Sequence, residues 1–124
     1  MIWVTGCRGM LGRQVCRALT DAGCPCEGTD TEVDIADSGA VNSFCARETP
    51  AWIINCAAYT AVDRAEREEE AARRVNADGP AVLAQAARRT GARIIHFSTD
   101  YVFDGTSSAP YCEDDPPHPV SVYG

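Results

Sequence analysis

Nowhere in the 124 residues does an apolar run approach the ~18–20 residues that a membrane span needs. No charged segment followed by an apolar one stands at the start, as a secretory leader would require. A cytoplasmic location without a membrane partner is therefore expected. Positive charge is also scarce: 11 basic residues face 18 acidic ones, a net charge of −7. That balance speaks against nucleic acid or an anionic membrane surface as a general partner. Histidine is limited to His96 and His118, and the seven cysteines, an odd number, contain no C-x-x-C pair. With Cys24-Pro25-Cys26 the only close pair, neither a disulfide framework nor a metal centre is expected. Internal repeats and low-complexity segments are absent. What is present is ordinary globular material, 45% hydrophobic and 23% charged. Its length suits one domain able to bury about two-thirds of its unfolded surface.

The most informative stretch is Ile2-Trp3-Val4-Thr5-Gly6-Cys7-Arg8-Gly9-Met10-Leu11-Gly12. An apolar run meets three glycines in the spacing G-x-x-G-x-x-G and then a helical pattern, with Leu11, Val15 and Leu19 at i, i+4, i+8 and Gly23 at the expected C-cap. This reads as strand, phosphate-binding turn and helix. A dinucleotide pyrophosphate needs backbone N–H groups at close range and the positive end of a helix dipole, so side chains must be missing where it approaches. Gly6, Gly9 and Gly12 meet that need. A second strand follows over Cys24–Thr29 and ends in Asp30, 24 residues after Gly6. A carboxylate there can accept a hydrogen bond from a ribose hydroxyl, while Arg8 could attract a 2′-phosphate, so the choice of NADH or NADPH stays open.

Further along, Asp37 or Ser38 is the expected N-cap of a helix carrying Val41, Phe44 and Cys45, with Pro50 beyond its end. Ala51–Cys56 is strand three, its continuous apolar run suiting a strand covered on both faces. The small residues Ala57 and Ala58 after it let a flat ligand lie against the backbone. From Asp63 to Gly91 the pattern is one long helix with a kink or restart near Asn76–Pro80. Its charged run from Arg64 to Arg74 reads as a solvated face. Ala92–Phe97 is strand four, with His96 expected as a packed, hydrogen-bonded histidine. A proline-rich loop follows Thr106, and Pro119–Gly124 could open another helix. Alternating strands and helices imply right-handed crossovers and a parallel sheet. The expected fold class is α/β, a Rossmann-type doubly wound parallel sheet of about four strands with flanking helices, incomplete beside the usual order 3-2-1-4-5-6. Strand four would then be an open edge, inviting aggregation or a homodimer.

On Thr5–Gly12, Asn55–Glu66, Val75–Pro80, Ser98–Gly105, Pro110-Tyr111 and Val120–Gly124 the chain resembles the extended short-chain dehydrogenase/reductase superfamily and, within it, the dTDP-4-dehydrorhamnose reductase family. The resemblance spans all 124 residues. It implies reduction of the C4 ketone of a dTDP-6-deoxy-sugar with hydride from NADPH or NADH. By the same resemblance Gly9, Met10 and Leu11 hold the pyrophosphate, and Asp34 and Ile35 flank the adenine. Ala57, Ala58, Tyr59, Thr60, Phe97 and Tyr123 line the dinucleotide. Thr99, Asp100 and Tyr101 contact the substrate, with Tyr123 as general acid and Thr99 as its catalytic partner. A phenol and a hydroxyl suit an alkoxide that develops as hydride arrives. The family's lysine four places after the tyrosine, its later strands and its sugar-binding domain have no counterpart here. Residues 1–124 are thus expected to be the N-terminal, NAD(P)-binding part of a longer reductase, inactive alone. Alternatives are a regulatory subunit resembling the methionine adenosyltransferase beta subunit, which keeps the dinucleotide without turnover, and another nucleotide-sugar epimerase or dehydratase.

Overall fold

Four short parallel strands, β1 (Ile2–Thr5), β2 (Cys26–Thr29), β3 (Trp52–Asn55) and β4 (Arg93–His96), form one sheet in the order β2-β1-β3-β4 in a computed structural model that describes all 124 residues. The expected doubly wound parallel sheet is therefore present, with strand ends trimmed by a residue or two. Pro25 has no N–H to give a ladder, and β2 starts only after it.

β4 is an edge, as expected, and leaves Ile95 40% and Phe97 47% exposed. The third strand, however, lies beside β1, so no strand occupies the third place of the order 3-2-1-4-5-6. The connection after β2 explains this. Asp34 and Asp37 spend their carboxylates on the amides of Ala36, Gly39 and Ala40 at 2.8–3.2 Å, which makes a turn and the N-cap of helix α2 (Ser38–Glu48) instead of another strand. α2 then carries Phe44 onto Trp3, ring centroids 4.2 Å apart.

The chain runs one way from β1 to β2 and the other way from β2 through β3 to β4. Right-handed crossovers must therefore put helix α1 (Met10–Asp21) on one face and the later helices on the other. α1 touches only β1 and β2, whereas α2 packs on helix α5 (Gly79–Thr90) over a core of Trp3, Val41, Phe44, Ile53, Leu83 and Ala86. The crevice at this reversal opens where the carboxyl ends of β1 and β3 part, the usual place for ligands in such sheets.

The helical stretch expected from Asp63 to Gly91 is broken once, at Glu66–Glu68, and is distorted near Asn76–Pro80, the expected place of a kink or restart. Short helices α3 (Val62–Ala65) and α4 (Glu69–Arg73) are separated at Glu66–Glu68, and a π-helical turn over Arg74–Asp78 precedes α5. Side-chain contacts described below cause the break. The helix runs on from α4 into α5 through that π-helical turn, which precedes Pro80, a residue without the N–H that a regular helical turn would use. Pro119–Gly124 is irregular. The bond from the Gly124 amide to the Ser121 hydroxyl, 3.1 Å, does not make a helical nucleus.

A buried polar network ties the carboxyl ends of β1, β3 and β4 together. Thr5 Oγ1 donates to Asn55 Oδ1 at 2.6 Å, the Ala57 amide donates to the same oxygen at 3.2 Å, and Asn55 Nδ2 lies 3.0 Å from His96 Nδ1. Because Oδ1 takes an N–H, the amide orientation is fixed, and His96 accepts at Nδ1 with its proton on Nε2. His96 is hydrogen-bonded as expected but exposed rather than packed, since it ends the free edge strand. Asn55→Leu orphans both the Thr5 hydroxyl and the Ala57 amide. It should lower stability by about 3 kcal/mol in urea unfolding; a loss under about 1 kcal/mol would show that the network is dispensable.

Candidate functional site

Two of the three glycines are required by packing and the third by open space. A Cβ on Gly6, whose φ is +65°, would stand 2.6 Å from the Ala57 nitrogen, and one on Gly12 would stand 2.1 Å from the Gly6 carbonyl oxygen. At Gly9 the added atom meets only that same oxygen, at 3.2 Å, and otherwise faces the cleft. Gly9 is also the N-cap of α1. It supplies no side-chain acceptor, the first turn holds no acidic residue, and the amides of Met10, Leu11 and Gly12 have no protein partner. A helix start left uncapped beside a cavity is a ready anion site, its N–H groups and dipole favouring negative charge.

One cavity of about 590 Å³ runs from this turn toward the end of β2, lined by Gly6, Arg8, Gly9, Asp30, Asp34, Ile35, Ala57, Ala58 and Arg74. Asp30 accepts the Arg8 amide at 3.0 Å and the Thr31 amide at 3.0 Å. The Arg8 guanidinium turns to Glu32, 2.7 Å away, and Arg74 pairs with Asp34 across the cavity mouth. Backbone N–H groups, its own and that of Asp30, together with Arg8 hold the Glu32 carboxyl below the usual carboxylate range.

A second cavity, about 500 Å³, adjoins it and is lined by Gly9, Met10, Leu11, Ala57, Ala58, Thr60, Asn76, His96, Phe97, Thr99 and Tyr123. Thr99 and Tyr123, far apart in sequence, both line it. Thr99 Oγ1 accepts the Tyr101 amide at 3.2 Å, and the Tyr101 ring stands edge-on to Tyr123 at 5.4 Å. Four expected ligand contacts are not on these walls. Asp100 and Tyr101 lie outside both cavities, with Tyr101 serving as a prop for Tyr123. Tyr59 is turned away, its hydroxyl donating to Glu68 at 2.6 Å, a bond that raises the phenol's pKa. Gly12 is buried under the turn.

Several site-shaping residues were not foreseen. Asn76 accepts the Tyr59 amide and donates to the Tyr59 carbonyl, both at 2.8 Å, and so clamps the loop after β3. The charged run is more than a solvated face. Glu68 takes Tyr59 and Arg64 (2.6 Å), which draws the chain out of helix at Glu66–Glu68, and Glu66 accepts the Val122 amide at 2.9 Å beside Tyr123. An asparagine inside a helical pattern was the one available signal, because such a side chain competes for backbone partners. Cys56 lies between the two cavities, and burial pushes its thiol up to about 11, so near neutrality it is not a nucleophilic thiolate.

The cleft thus joins an uncapped helix start and an acid at the end of β2 to a threonine–tyrosine pair, and the whole chain, residues 1–124, matches the RmlD substrate binding domain family. The chain belongs to that family. Among its relatives, a dTDP-4-dehydrorhamnose reductase from Streptomyces griseus is 48% identical over 122 residues, 98% of this chain and 40% of that protein. The crystal structure of a dTDP-4-dehydrorhamnose reductase from Clostridium acetobutylicum superposes with a TM-score of 0.95 at 44% identity, over 99% of this chain and 44% of the other. One from Bacillus anthracis in complex with NADP gives a TM-score of 0.94 at 36% identity, over 98% and 44%. The chain therefore spans about two-fifths of the length of the relatives it matches.

The glycines separate experimentally. Gly12→Ala should destabilise the fold by about 2 kcal/mol or more through overpacking against the Gly6 carbonyl. Gly9→Ala should melt within a few degrees of the parent yet lose most dinucleotide affinity. Thermal melts and fluorescence titration of both variants check this, and comparable losses of stability in the two would contradict the division of roles.

Proposed function

We propose that residues 1–124 are the NAD(P)-binding part of a dTDP-4-dehydrorhamnose reductase, an NAD(P)H-dependent oxidoreductase that reduces the C4 ketone of dTDP-4-dehydro-L-rhamnose to dTDP-L-rhamnose. The observation that carries this reading is the placing of Thr99 and Tyr123 in one cleft with the uncapped start of α1. The reductases of Streptomyces griseus and Clostridium acetobutylicum supply the reaction type. NADPH or NADH, when bound, supplies the hydride.

The chain's own residues then divide the work. The free amides of Met10, Leu11 and Gly12 meet the pyrophosphate charge, and Gly9 allows its approach. Asp30 accepts a ribose hydroxyl, Asp34 and Ile35 hold the adenine, and Ala57, Ala58, Thr60 and Phe97 line the path toward Thr99. Tyr123 gives its proton to the sugar oxygen as negative charge develops there. Thr99, whose oxygen already accepts the Tyr101 amide, turns its O–H to the same oxygen in place of its 3.3 Å bond to Asp100. Asp100 and Tyr101 act on the substrate side through these two residues. The sequence holds no lysine, so in this reading the cation that assists Tyr123, like the sugar-binding domain, belongs to a longer chain. We place the reaction in the cytoplasm, without nucleic acid or membrane partners. The open edge at Ile95 and Phe97 is covered by further strands or, in the chain alone, by a second copy as a homodimer.

In the full-length reductase, Tyr123→Phe should lower kcat by about 10²–10⁴ while dinucleotide affinity changes little, because the proton matters only as the alkoxide forms. Steady-state turnover with dTDP-4-dehydro-L-rhamnose, alongside a dinucleotide titration, measures both. Near-normal turnover would remove Tyr123 from the role of acid.

A further inference from the structure

We propose that Glu32 sets the choice of dinucleotide by holding the Arg8 guanidinium away from the ribose 2′ position, so that the adenosine cavity takes NADH in preference to NADPH. The inference rests on the reading of the cleft as a dinucleotide site.

Arg8 and Arg74 are the arginines on the walls of that cavity, and each is already engaged by a carboxylate. Arg8 Nη2 stands 2.7 Å from Glu32 Oε2, 3.4 Å from Thr31 Oγ1 and 3.7 Å from Asp30 Oδ1. The other Glu32 oxygen accepts the Asp30 amide at 2.9 Å, so this carboxylate is anchored to the turn rather than free to swing away. Two acids thus flank one guanidinium at the end of β2.

The two ribose chemistries fare differently there. A 2′-hydroxyl donates to Asp30, whose oxygens each accept a single backbone N–H. A 2′-phosphate donates nothing to Asp30, carries a charge of about −2, and needs a planar guanidinium fork free for bidentate pairing. Arg8 can offer that fork only by leaving Glu32. Glu32 is therefore a positioning residue that acts through Arg8.

The test is titration of the protein with NADH and with NADPH, reading nicotinamide fluorescence, for the parent, Glu32→Gln and the double variant Arg8→Gln/Glu32→Gln. Glu32→Gln keeps an oxygen acceptor for the Asp30 amide, so the turn retains its anchor. The parent should bind NADH about tenfold tighter or more. Glu32→Gln should narrow the gap to about twofold by improving NADPH binding, and added Arg8→Gln should reopen it. A parent with equal affinities or a preference for NADPH would overturn the proposal. So would an unchanged ratio in Glu32→Gln, or a narrowing that survives the loss of Arg8. Binding of neither dinucleotide by the parent would instead overturn the reading of the cleft itself, and this inference with it.

Discussion

The contact between Gly12 and the Gly6 carbonyl is the constraint on which the rest depends. A side-chain carbon would stand 2.1 Å from that oxygen, so only glycine lets the first turn of α1 settle onto the end of β1. Once it does, the amides of Met10, Leu11 and Gly12 are left without a protein partner, with Met10 and Leu11 on the wall of the cleft where the chain reverses its direction across the sheet. Gly6 makes the complementary approach to the loop after β3, its missing Cβ avoiding the Ala57 nitrogen by the same logic. Two turns from different crossovers are thereby pressed together, and the cleft runs between them.

Around that contact, polar side chains do structural work that apolar ones could not. Thr5, Asn55 and His96 join three strand ends through hydrogen bonds, with Thr5 and Asn55 almost wholly buried. Asn76 grips the backbone of Tyr59 on both sides. Buried donors and acceptors of this kind cost more when orphaned than they contribute when paired, so they fix one arrangement of the loops rather than adding much stability. The rigid end of the sheet is the one that faces the cleft, while the apolar edge at β4 carries no such ties beyond His96.

Much of the fold was legible because it is written in local signals. Apolar runs bounded by Gly and Pro placed the strands, Asp37 and Gly91 marked helix ends, and right-handed crossovers turned the alternation into a parallel sheet. The turn glycines, Asp30 and the cavity-lining alanines were readable for the same reason. The irregularity before Pro80 was readable from the proline, but the break at Glu66–Glu68 was not, because it depends on Tyr59, which lies nine residues before Glu68. No helical periodicity reports a tyrosine reaching in from a loop. The position of β3 was missed for a related reason: it depends on Asp34 and Asp37 spending their carboxylates on local amides, which short-range pattern treats as loop either way. Tyr59 and Tyr101, expected as ligand contacts, lie off the cavity walls, because the partners that turn their side chains, Glu68 and Tyr123, are a tertiary matter.

The central claim is that the uncapped start of α1 receives a dinucleotide pyrophosphate. Its most direct measurement is the amide NMR spectrum of the protein during addition of NADH. The Met10, Leu11 and Gly12 resonances should move most, with smaller movements at Asp30, Ile35, Ala57 and Ala58. Unmoved amides at the head of α1, with shifts at other places or none, would contradict the account.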